Sequence, residues 1–177
     1  AIVSLSQSQF ATAYSCIDFY ESEQSKVIVY EYASGVLSQI DYTKQYFYSA
    51  TGPPSMARLS NSAFAIAYTC ACIGGSEGGG EGGGESEGGK VTVARLSGGV
   101  LTIDPYYAAE FSSEPIESPS VVGLSDDRLA VAYKAADGSG KVVLGHIDTE
   151  AYAPTAVFAA PAAFVKAGAS VPVVATA

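Results

Sequence analysis

The sequence predicts an all-β protein made of tandem four-stranded antiparallel units, and three observations carry that expectation. A short segment ending in tyrosine recurs three times. A lysine-led valine segment follows each copy in the same order. Sustained helical periodicity is missing.

The first element opens each unit. It reads Ile2-Val3-Ser4-Leu5, then Ser55-Met56-Ala57-Arg58-Leu59, then Ser120-Val121-Val122-Gly123-Leu124. Each copy runs into Leu-Ser and three further residues, a tight turn between two strands. The acidic pair Asp126-Asp127 fits turn chemistry in the third copy.

The second element is an apolar residue, then Ala-x-Ala-Tyr. The copies are Phe10-Ala11-Thr12-Ala13-Tyr14, Phe64-Ala65-Ile66-Ala67-Tyr68 and Leu129-Ala130-Val131-Ala132-Tyr133. In an extended chain alternate side chains point to opposite faces. Ala65 and Ala67 therefore make a small face, which lets sheets approach closely, while Phe64, Ile66 and Tyr68 fill the other.

The third element is Lys26-Val27-Ile28-Val29-Tyr30, then Lys90-Val91-Thr92-Val93-Ala94, then Lys141-Val142-Val143-Leu144-Gly145. The fourth occurs twice, as Gly35-Val36-Leu37 and Gly99-Val100-Leu101. Its valine follows the unit's lysine at the same interval, 26 to 36 and 90 to 100. All four elements are short, rich in Val, Ile, Tyr and Phe, and bounded by Gly, Ser, Asp or Pro, as strands are.

The units span about residues 1–54, 55–119 and 120–169, and Ser170-Val171-Pro172-Val173-Val174 repeats the opening strand once more. Four strands per repeat is the signature of propeller blades. The Leu-Ser-x-x-x-apolar-Ala-x-Ala-Tyr motif resembles blade repeats in large secreted or surface proteins of bacteria and microbial algae. The resemblance runs through residues 1–148. It implies an architecture, a β-propeller-like array of three blades plus one extra strand, rather than an activity. The expected location is extracellular or at the cell surface, with the lumenal face of a membrane complex as the alternative. After Asp148 the third unit departs from the pattern into a Pro/Ala-rich stretch. A short helix is conceivable between Thr155 and Ala169, limited by Pro161.

Three blades are too few to close a ring. The chain is then part of a longer propeller, or half of a six-bladed pair, or a different closed fold such as a trefoil-like barrel. The opening Ala1-Ile2-Val3 lacks an initiator Met, a basic region and an apolar leader, which reads as a processed or excised chain.

Composition narrows the partners. The formal net charge is −9 with nine Lys and Arg, scattered, which argues against nucleic acid. Hydrophobic residues make up 48% and charged residues 15%, apolar enough for neighbouring chains to cover some surface. No apolar run is long enough for a transmembrane helix. The three cysteines, Cys16, Cys70 and Cys72, form neither a disulfide framework nor a zinc site. Cys16–Cys72 is the one conceivable bridge.

Catalytic and metal motifs are missing. Residues 74–89, rich in Gly and Glu, read as a solvated loop insertion rather than a phosphate loop, because no Gly-Lys-Ser/Thr follows. Asp137-Gly138-Ser139-Gly140 reads as a plain hairpin turn. His146, the single histidine, reads as a strand residue. Glu110, Glu114 and Glu117, which could pair with Asp104 as a glycosidase-like dyad, read as acidic surface residues. No cofactor is expected, and the chain is expected not to be an enzyme.

Two tyrosine clusters remain, Tyr42/Tyr46/Tyr48 and Tyr106/Tyr107, read as lying in the connections between units. They suit inter-blade packing or a partner or carbohydrate surface. The expectation is a non-catalytic structural or scaffolding subunit bound to other protein subunits. The alternative is a carbohydrate- or protein-binding propeller module.

Overall fold

The computed structural model describes residues 1–17, 23–43, 52–72, 86–103, 108–148, 155–158 and 162–163. These residues are all-β, with no helix among them. Strands β1 (Ile2–Ser4), β2 (Gln9–Ile17), β3 (Glu23–Ala33) and β4 (Val36–Thr43) form the first antiparallel sheet, paired in chain order. Strands β5 (Ser55–Arg58), β6 (Ala63–Cys72), β7 (Ser86–Ser97) and β8 (Val100–Ile103) form the second, with β9 (Ala109–Ser112) also paired to β7. Strands β10 (Ile116–Gly123), β11 (Arg128–Ala135), β12 (Gly140–Asp148) and β13 (Thr155–Phe158) form the third, with β14 (Ala162–Ala163) also paired to β12.

The recurring Leu-Ser turn has one geometry in all three sheets. The Leu5, Leu59 and Leu124 amides donate to the carbonyls of Gln9, Ala63 and Arg128 at 2.8, 3.0 and 2.8 Å, and the next serine's amide shares each acceptor. Hairpins at Ser34-Gly35 and Gly98-Gly99 are two-residue turns with positive φ at both positions. That pair of conformations matches the right-handed twist of the flanking strands.

The sheets stack face to face in chain order, and the second is covered on both sides. One core joins the first and second sheets through Leu5, Ala11, Ala13, Val27 and Val29 on one side and Phe64, Ile66, Tyr68, Leu96 and Leu101 on the other. A second core joins the second and third sheets. There Ala57, Leu59, Ala65, Ala67, Val91 and Val93 meet Val121, Leu129, Val131, Tyr133, Val143 and Ile147. Hydrogen bonds cross both boundaries: Leu101 N–H donates to Asp41 Oδ2 at 2.8 Å, and Val121 N–H to Ser55 Oγ at 3.1 Å. At Gly123 the Arg58 carbonyl oxygen occupies the space a side chain would need.

Several features differ from the sequence expectation. The residues expected to allow a short helix include β13 and β14, which add to the edge of β12. Gly145 leaves room there for the Phe158 ring, which a Cβ would meet at 2.7 Å. The Gly/Glu-rich stretch is not all loop: β7 begins at Ser86, and Gly88 and Gly89 pair with Cys70 and Thr69. The Phe111 and Ile116 side chains fill the position of the side chain that Gly89 lacks. Strand β10 begins at Ile116, ahead of Ser120, and a bulge at Ser118-Pro119, with Ser118 at φ 50, lengthens it. The strand expected at 170–174 lies outside the described residues.

Candidate interaction surfaces

The β2–β3, β6–β7 and β11–β12 ladders share one register. Tyr14 pairs with Lys26, Tyr68 with Lys90 and Tyr133 with Lys141. Each sheet has a small face, carrying Ala11/Ala13, Ala65/Ala67 or Ala130/Ala132, and a large face. The large faces carry Phe10/Thr12/Tyr14, Phe64/Ile66/Tyr68 and Leu129/Val131/Tyr133. The small face of the first sheet receives the large face of the second. The small face of the second receives the large face of the third. The large face of the first sheet and the small face of the third are left without a neighbouring sheet among the described residues.

Exposure follows from that arrangement and not from residue type. Leu5 and Leu59 are buried, at 0% and 6% exposed, while their counterpart Leu124 is 58% exposed. Val29 and Val93 are buried, and their counterpart Leu144 is also 58% exposed. On the other face Tyr68 and Tyr133 are buried, while Tyr14 is 39% exposed. Half-buried Met56 and buried Val121 correspond to exposed Ile2.

The open large face is aromatic. Phe10 and Tyr30, cross-strand partners, stack with centroids 5.2 Å apart and planes at 21°. Ile2, Thr12 and Ile28 pair across three strands beside them, and Lys26 adds a cation at one end. The open small face contributes Leu124, Arg128, Leu144, His146 and Val157 to a groove of about 490 Å³ that Leu129, Gly145 and Phe158, at positions of the opposite face, also line. Its charged groups are at the ends. Glu117 Oε2 meets Lys134 Nζ at 2.8 Å, and His146 Nε2 lies 3.4 Å from Asp127 Oδ2. The Ser125 hydroxyl donates to Asp127 Oδ1 at 2.6 Å and holds that carboxyl below its ordinary range, helped by His146 and Arg128.

Ser125, Asp127 and His146 do not form a nucleophile site. The carboxylate stands between hydroxyl and imidazole, whereas activation of a serine places the imidazole next to the hydroxyl. Two further carboxylates have structural partners. Glu114 lies 3.8 Å from Lys141 Nζ across a cleft of about 340 Å³ that also holds Glu110 and Tyr133. Asp137 accepts from Ser139 N and Oγ within its turn. No group of three His, Cys, Asp or Glu side chains suited to a metal ion occurs among the described residues. Asp104, which a glycosidase-like dyad would need, lies outside them.

Of the expected surface tyrosines, Tyr42 lies inside β4, its backbone paired with Ile28, rather than in a connection. Tyr46, Tyr48, Tyr106 and Tyr107 lie outside the described residues. Tyr106 and Tyr107 fall between β8 and β9, two strands on the same edge of β7, and so within the second sheet's own chain segment. Cys70 is buried in the core between the first two sheets, and the side chains of Cys16 and Cys72 lie outside the described residues. Sequence reading missed the open faces. Their signal was the apolar identity of Leu124 and Leu144 at repeat positions, which shows exposure only once the stacking order is known. No helix among the described residues is long and apolar enough to cross a membrane. No protein-family model, curated protein or solved structure matches the chain.

Proposed function

We propose that this chain is a non-catalytic structural subunit, an arc of propeller-like blades built into a larger protein assembly. One observation carries the reading: Leu124 and Leu144 repeat apolar positions that are buried in both other sheets, yet they face solvent. Contiguous apolar surface of this kind marks contact with other protein. The low charge content and the tyrosine-rich first sheet agree with it, and the motif resemblance alone suggests an extracellular or surface setting.

The test is the native mass of the protein in extracts of its own source, combined with hydroxyl-radical footprinting. Assembly predicts a particle well above 18.1 kDa, with Leu124, Leu144 and Tyr14 protected. A lone chain with all three residues labelled would overturn the reading.

A second reading is a carbohydrate-binding module. The stacked Phe10–Tyr30 pair beside half-exposed Tyr14 favours it, because sugar rings pack on such faces. Glycan-array binding abolished by Tyr14→Ala would support it, and an array without hits would remove it.

A further inference from the structure

We infer that the two open faces are complementary to each other, and that a second copy of this chain docks head to tail, its aromatic first sheet on the small face of the third sheet. The inference rests on the assembly reading above and names the partner.

The packing rule is visible twice within the chain. At both internal boundaries a face centred on Ala-x-Ala receives a face centred on a large apolar residue, a second apolar residue and tyrosine. Alternating small and large residues across facing layers lets side chains interdigitate at interior density. The leftover faces are one of each kind, with Thr12 standing where the other large faces carry Ile66 and Val131. Ala130, Ala132, Val122 and Leu144 form the acceptor, and Phe10, Thr12, Tyr14 and Tyr30 the insert.

Like-with-like pairing fits worse. Two alanine-centred faces leave space between sheets, and two aromatic faces force them apart. The same register brings Lys26 to the end of the third sheet that carries the Glu117–Lys134 pair, whose carboxylate the two lysines would share. At the boundary between the second and third sheets the counterpart Lys141 lies 3.8 Å from Glu114. The join is heterologous, and such joins close into rings when the rotation permits. Two chains of three sheets give six, inside the four-to-eight range of closed radial arrays.

Sedimentation of the purified full chain tests this. A pair of about 36 kDa, twice 18.1 kDa, is expected for the wild type at micromolar concentration. Leu144→Glu blocks the acceptor and Tyr14→Glu the insert, so each variant alone is expected as a monomer. Mixed together, they retain one intact join and are expected to recover a pair. Val36→Glu, at an exposed hairpin tip away from both faces, controls for added charge and leaves the pair unchanged. Circular dichroism and the thermal midpoint confirm that each variant folds.

If Leu144→Glu or Tyr14→Glu alone still pairs, or the folded variants fail to complement, head-to-tail docking is wrong. A wild-type chain that is monomeric at all concentrations also overturns it and assigns the cover to a different polypeptide or to further repeats. In each case the assembly reading stands or falls separately, on the native-source particle.

Discussion

Asp41 and Leu101, sixty positions apart in sequence, meet across the boundary between the first two sheets, where the carboxylate accepts the leucine's backbone N–H at 2.8 Å. Removing the acceptor leaves a half-buried amide unsatisfied. Asp41→Ala is expected to cost about 1–2 kcal/mol in urea unfolding, and Asp41→Asn, which keeps an acceptor, less.

Gly123 faces a backbone atom rather than a yielding side chain. Gly123→Ala drives a methyl group into the Arg58 carbonyl, and the sheets must separate to admit it. The expected loss is about 1–3 kcal/mol. Gly140→Ala, where nothing lies within 4 Å, serves as the control and should leave the denaturation midpoint nearly unchanged.

The three repeat tyrosines separate burial from sequence equivalence. Tyr68→Ala and Tyr133→Ala each empty a closed core and are expected to cost about 3 kcal/mol. Tyr14→Ala in the isolated chain is expected to cost less than about 1 kcal/mol. Equal losses at all three positions in a monomeric sample would show that the first sheet's large face is covered within the chain.

The Asp137 carboxyl is held below its ordinary range mainly by the Ser139 side chain, with the Ser139 amide adding to it. A lowered folded-state value stabilises the fold above the unfolded-chain pKa of about 4 and is lost as pH falls through the lower native value. Ser139→Ala should move the carboxyl upward in a ¹³C NMR titration. It should also weaken that acid-side dependence while leaving stability above the window lower by a constant amount.

Ser34 adopts φ 53 in a two-residue turn that favours Asn-Gly. Ser34→Asn is expected to raise stability by about 0.5 kcal/mol in chemical denaturation, without altering the β3–β4 register.

Much of the strand layout was readable because local chemistry fixes it. Leu-Ser with three following residues makes the same turn three times, and the Tyr–Lys ladder pairs follow from the repeat spacing. The second sheet's split outer edge was not readable. Ala109-Glu110-Phe111-Ser112 lacks β-branched alternation, and it becomes a strand because Phe111 packs on Tyr133 at 5.3 Å in another sheet. Gly88 and Gly89 looked like loop because glycine weakens strands, whereas here the Phe111 ring packs into the space beside Gly89. The end surfaces were hidden for a different reason. Both faces of every repeat are apolar, and only the stacking order shows which two lack a neighbour.

Every principal strand pairs with the strand next to it in sequence, and the hairpin at Ser34-Gly35 spans only two residues. Each module can therefore complete its own hydrogen bonding while the ribosome is still adding the next. Such a chain gains stability by growth, each new layer adding a nearest-neighbour contact to the one before it. Duplication of a single module during evolution would lengthen the array without disturbing the layers already in place.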